Sequence, residues 1–192
     1  MRNAAFGILA AATVVTSGLV PTAALAGTVK PRMLAYSSTA AGGGDPATTV
    51  TFAVTTGALS MSAPVAVNLG TGAPGTTISG ALGPVTVTDD RALLSASWTV
   101  TASSTGWTTG GGTGPETIPA SDVGYDPGTI TTTGTITVTG TPITLSGTAT
   151  PVVTGTSGVG DNTATWDPVI SVAVPGTAVG GVYTGTLTQS VS

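Results

Sequence analysis

The feature that most constrains this chain is its two-residue beat. From Thr48 onward, short runs alternate apolar with hydroxylated side chains, and clusters of Gly, Pro, Asp and Asn separate them. Residues 48–55 (TTVTFAVT) put Val50, Phe52 and Val54 on one face. Residues 64–68 and 84–88 each hold two valines in register, and 96–102 set Trp98 and Val100 opposite hydroxyls. The pattern returns in 135–139 with Ile136 and Val138, in Ile143 and Leu145, and in 167–174. It ends in 182–191, with Tyr183, Leu187 and Val191 on one side. A period of two with β-branched residues and frequent turn signals predicts strands, and no stretch here has a helical period. Threonine suits both demands, because its branched Cβ fits a pleated strand while its hydroxyl hydrates the outer face. The expectation is an all-β domain over 48–192, an Ig-like Greek-key β-sandwich of two sheets packed face to face.

The N-terminus reads differently. Arg2 precedes an apolar stretch from Ala4 to Val20, and Pro21 leads to Ala24-Leu25-Ala26 followed by Gly27. A basic start, an apolar run and a small-residue cleavage site describe a secretory signal-peptide helix over 1–26, with a flexible arm over 27–47. No later stretch is long and apolar enough to span a bilayer, and no sorting signal or hydrophobic tail is visible near the C-terminus. The expectation is a secreted, extracellular protein without a membrane span after signal cleavage.

Composition narrows the chemistry. The 192 residues include no His and no Cys, and only 6% are charged. That removes Ser-His-Asp and Cys-His triads, thiol redox, disulfides, and metal sites built on N or S ligands. With a net charge of −4, and with Arg2, Lys30 and Arg32 all near the N-terminus, only Arg91 is left to the remaining chain. Nucleic acid is therefore not an expected partner. The glycine run 110–114 is read as a loop and not a phosphate cradle, since no Lys and no helix follow it.

Three segments carry a family resemblance. They are Gly83-Pro-Val-Thr-Val-Thr-Asp-Asp-Arg91 followed by Trp98-Thr-Val100; Thr117-Ile-Pro-Ala-Ser-Asp-Val-Gly-Tyr125; and 164–175 (ATWDPVISVAVP) leading to 180–188 (GGVYTGTLT). In this order they resemble the WxL-domain surface proteins of Gram-positive bacteria, in particular the short actinobacterial forms. The resemblance covers about Leu59 to the C-terminus. It implies a β-rich extracellular domain that attaches non-covalently to the cell wall, with peptidoglycan as the ligand. Trp98 and Val100 match the first Trp-x-Leu, with Val in place of Leu. Where the second would follow, this chain reads Gln189-Ser190-Val191, so that motif is degenerate.

Trp98, Val100 and Trp107 are thus the candidate ligand-binding residues. An exposed Trp stacks on a sugar face, whereas an inward one fills the centre of a sandwich. Parity with Val100 favours the core for Trp98. Trp107, beside the glycine run, is the most exposed of the three, and Trp166 belongs at the core's edge. In Asp89-Asp90-Arg91, one acid pairs with Arg91 or caps a turn. The alternative is Ca²⁺ held with Asp122, Asp126 or Asp161, but no EF-hand or nonapeptide spacing is present, so structural pairing without metal or cofactor is expected. Glu116 with Asp122 or Asp126 offers carboxylates for glycosidic hydrolysis, yet all three sit in Gly/Pro-rich loops without an aromatic groove. The reading is a non-catalytic, cell-wall-associated surface protein. The alternative is an adhesion or assembly subunit that binds another envelope protein through exposed strand edges, and a carboxylate hydrolase ranks last.

Overall fold

A computed structural model describes residues 48–192. The expected signal segment (1–26) and N-terminal arm (27–47) lie outside these residues. The fold belongs to the unit Thr55–Ser192 and is all-β apart from two short 3-10 turns. Among the described residues no helix is long and apolar enough to cross a membrane.

Six strands form the larger sheet: β1 (Leu59–Ser62), β3 (Val85–Asp89), β4 (Ala96–Ser104), β8 (Ile130–Gly140), β10 (Thr150–Trp166) and β12 (Leu187–Val191). Four form the smaller one, in the order β2 (Thr77–Ala81), β11 (Val169–Ala173), β7 (Val123–Asp126) and β9 (Ile143–Thr144). A two-stranded ribbon joins β5 (Trp107–Thr108) to β6 (Thr117–Ile118). All pairings are antiparallel, and in both larger sheets no strand pairs with its immediate neighbour in sequence. The chain instead changes sheet at almost every step, which brings their inner faces over one shared core, an arrangement consistent with a β-sandwich.

The 17-residue β10 organises the larger sheet. One flank pairs with β8 from Trp166↔Ile130 to Val153↔Gly140. Its other flank takes two partners in turn: β3 lies against its C-terminal part (Trp166↔Val85 to Asn162↔Asp89), and β4 against its N-terminal part (Gly158↔Ala96 to Thr150↔Ala102). Thus β3 and β4 take successive stretches of one flank of β10, separated by the excursion 90–95 and by a bulged stretch of β10 between Thr156 and Thr163, at which β8 and β10 fold back so that Ile130 packs against Gly140. Ala92 (φ 52°) and Ser157 (φ 56°) take left-handed backbone on either side of this break, a conformation uncommon outside glycine. The Leu93 carbonyl accepts from Gly160 N–H at 2.9 Å and ties the excursion to the bulge.

The core follows strand parity. Val85 and Val87, then Trp98, Val100 and Ala102, point inward from the larger sheet; Val123, Tyr125, Ile170 and Val172 answer from the smaller one. Each fully buried valine contributes about 1.5–3 kcal/mol through removal of apolar surface from water. One polar chain crosses this core. Trp166 Nε1 donates to Tyr125 Oη (3.0 Å), which donates to Gln189 Oε1 (2.9 Å), so β10, β7 and β12 are joined across both sheets.

The alternation misleads in three places. Residues 48–55 form no strand, and Val50, Phe52 and Val54 are exposed; no strand among the described residues pairs with them, and an alternating run without a ladder partner has no hydrogen bonds to hold it. Residues 64–68 are also irregular, with Val65 fully exposed and Pro64 lying against Gly83. In 182–191 the strand begins only at Leu187, after a segment joined to Thr108 by a single bridge at Thr184.

Candidate functional site

Strand parity decides the place of the aromatic candidates. Trp98 is 2% exposed and Val100 fully buried, so both are core residues with no face open to a ligand. The Trp98 indole lies across its cross-strand partner Gly155, whose missing Cβ makes the room. Its Nε1 is buried without a hydrogen-bond partner. Trp107 is half-buried on β5. Its Nε1 donates to Ser104 Oγ at 3.0 Å, and Gly185 closes on its ring. Trp166 is buried and committed to Tyr125.

The charged candidates serve the scaffold. At the break between β3 and β4, Arg91 Nε and Nη2 each donate at 2.8 Å to the two oxygens of fully buried Asp89, and Nη2 donates again to Ser97 O at 2.9 Å. The guanidinium thereby fastens the end of β3 to the start of β4. That hydrogen bonding holds the Asp89 carboxyl below the usual carboxylate range, against the opposing effect of burial. Asp90 is exposed, and its side chain takes no part in this pair. Glu116 Oε2 accepts from Thr113 N (2.9 Å) and Thr113 Oγ1 (2.7 Å), which lowers its pKa and closes the first 3-10 turn. Asp126 and Asp167 receive the N–H groups of Gly128 and Gly83, both at 2.9 Å. Among the described residues no three acids gather to hold a metal ion.

An open depression of about 330 Å³ lies on the smaller sheet, lined by residues that include Gly124, Tyr125, Asp126, Pro142 and Ser171. Its single acid, Asp126, already serves the turn at Gly128.

The ordered chemical surface is instead the outer face of the larger sheet. The registers align Ser60, Thr88, Thr163 and Thr133 in one cross-strand row, and Ser62, Thr86, Thr165 and Thr131 in the next. Beyond the bulge, where β8 and β10 fold back, Thr99, Thr154 and Thr139 form a separate row. Hydroxyls bond directly across strands between Thr86 and Thr165 (3.0 Å) and between Thr133 and Thr163. Strand spacing of about 4.8 Å and a repeat of about 6.7 Å along each strand make this a regular grid of methyl and hydroxyl groups. The rows contain no charged residue. Each hydroxyl can donate and accept, so the face is chemically matched to a neutral, hydroxyl-rich polymer.

Parity alone marks these threonines as outward. Their assembly into rows depends on long-range register, which local periodicity does not specify. The Tyr125–Gln189 contact had no sequence signal either, since its partners lie 64 positions apart on strands of different sheets. Compared with known proteins, the chain matches no family model, no curated protein and no solved structure.

Proposed function

We propose that this chain is a secreted, non-catalytic surface protein that associates non-covalently with cell-wall glycan, built on an Ig-like Greek-key β-sandwich. The observation that carries the reading is the uncharged grid of Thr and Ser hydroxyls on the larger sheet. A glycan strand offers hydroxyl and amide groups to such a grid, and the threonine methyl groups pack against its C–H faces. The resemblance to WxL-domain proteins supports the wall as the location and peptidoglycan as the polymer. Contact then passes through the sheet face instead of Trp98 and Val100, which are buried. The non-catalytic part is supported by the acids: Asp89, Glu116, Asp126 and Asp167 each hold a local scaffold contact.

The test is sedimentation of the full chain with purified peptidoglycan, beside a Thr86→Val/Thr88→Val/Thr165→Val variant. The parent is expected to pellet and to resist release by salt, because the hydroxyl rows carry no charge to screen; the variant is expected to stay in solution. A parent that remains in the supernatant overturns wall binding, and a variant that pellets like the parent overturns this face as the contact.

A further inference from the structure

The geometry points to a second binding site, on the outer face of the smaller sheet, for a primary ammonium group carried on an aliphatic stem. The place is the open depression of about 330 Å³ around Gly124. Val123 and Tyr125 are buried, so Gly124 and Asp126 face outward from β7, and Ser171 faces outward between buried Ile170 and Val172. The registers Ser171↔Gly124 and Gly124↔Thr144 set a row of hydroxyl, bare backbone and hydroxyl across β11, β7 and β9. Continued one step beyond Tyr125↔Ile143, the same pairing brings Pro142 beside Asp126. The floor is thus a glycine, with a hydroxyl-bearing strand on each side, the two about 10 Å apart. A carboxylate and a proline ring close one end.

Backbone, charge and wall together select the occupant. Glycine inside a strand weakens it and marks a bulge, a bend or a close approach. Here the pairing with β11 runs without a shift from Val169↔Asp126 to Val172↔Val123, and Gly124 has no left-handed backbone, which leaves close approach. Ser171 Oγ takes part of the room, 2.5 Å from where a Cβ would stand, and the rest is open as the depression. Asp126 Oδ1 accepts from Gly128 N–H, which orients the carboxylate, while Oδ2 has no hydrogen-bond partner among the described residues. Nor does the fold hold a cation for it: Arg91 is the only Lys or Arg among the described residues, and it is bonded to Asp89. An ammonium brings three donors and no acceptor, so Asp126 takes one N–H and a Ser171 or Thr144 hydroxyl another. Exposed Pro142 gives the methylene stem an apolar surface to lie on. The site does not rest on the glycan reading, whose hydroxyl rows belong to the other sheet.

The test titrates the isotope-labelled full chain with pentylammonium chloride at low ionic strength and follows backbone amide shifts. Saturable shifts are expected at Gly124, Thr144 and Ser171, half-complete in the millimolar range, as suits one exposed ion pair with a short apolar stem. Added salt is expected to weaken them. Pentanol has the same stem without the charge and is expected to bind about tenfold more weakly or worse. Asp126→Asn keeps an oxygen for Gly128 N–H and is expected to lose about tenfold in affinity. Gly124→Ala in a Ser171→Ala background, where the oxygen that would meet the new methyl is gone, is expected to bind more weakly than Ser171→Ala alone. Shifts that never saturate, or that fall equally around Asp90, Asp122 and Asp161, overturn the site. Pentanol binding as tightly as the amine overturns the ammonium, and so does an unchanged Asp126→Asn. Wall sedimentation is read separately, so failure here leaves the glycan reading to its own test.

Discussion

Replacing Tyr125 by Phe removes one oxygen and keeps the ring that fills the core. That oxygen accepts from Trp166 Nε1 and donates to Gln189 Oε1. Trp166 is 2% exposed, so its indole N–H loses its partner without gaining water. Such an orphan costs about 1–3 kcal/mol, and the lost bond to the half-buried Gln189 adds up to about 1 kcal/mol. The sum is about 1–4 kcal/mol, centred near 2. Urea unfolding followed by tryptophan fluorescence should show a midpoint lower by roughly 1 M with unchanged slope. The same tyrosine has a signature in alkali. Burial pushes its phenol from 10.0 up to about 12, against a smaller opposing effect of the Trp166 hydrogen bond. Between these values the unfolded chain releases a proton that the folded chain retains. Stability therefore falls as pH rises from 10 to 12, by an amount on the order of 3 kcal/mol. The Tyr125→Phe variant lacks this component of the alkaline loss. A variant within about 0.5 kcal/mol of the parent at pH 7, with the same alkaline decline, would refute the reasoning.

Two further substitutions test the break between β3 and β4 and the packing on β10. Arg91→Met strands the buried Asp89 carboxylate and should cost about 2–4 kcal/mol in thermal or urea unfolding, at the lower side of the buried-pair range because Arg91 keeps some solvent contact. The depressed Asp89 pKa places this stabilisation above the unfolded carboxylate value near 4 and removes it as pH falls through the folded value, so parent and variant should converge in acid. Gly155→Ala places a methyl against the Trp98 indole and forces the ring to shift, a cost of about 1–3 kcal/mol, with altered tryptophan emission as the check.

Strand parity was legible wherever the alternation was strict: Val85 and Val87, Trp98 and Val100, and Ile170 and Val172 all point inward. The all-β class followed from that. β10 was not legible, because Gly155, Gly158 and Gly160 interrupt its period and read locally as turns. Two of these glycines accommodate close neighbours: the Trp98 ring at Gly155, and Ala96 with Asn162 at Gly158. Residues 48–55 show the reverse error, a strong alternation with no neighbour to pair with. For the candidate surface, each outward threonine could be read singly, while the rows needed the registers of β1, β3, β8 and β10.

The fold-back of β8 and β10 has a mechanical consequence. The two strands bend where the partner of β10 changes from β4 to β3, and Ile130 and Gly140, at opposite ends of β8, meet as a result. The larger sheet is thus a creased plate. The Arg91 link from Asp89 to Ser97 joins the strand before the crease to the strand after it. A force that spreads the two halves is resisted first by this tie, which acts as a stay across the crease.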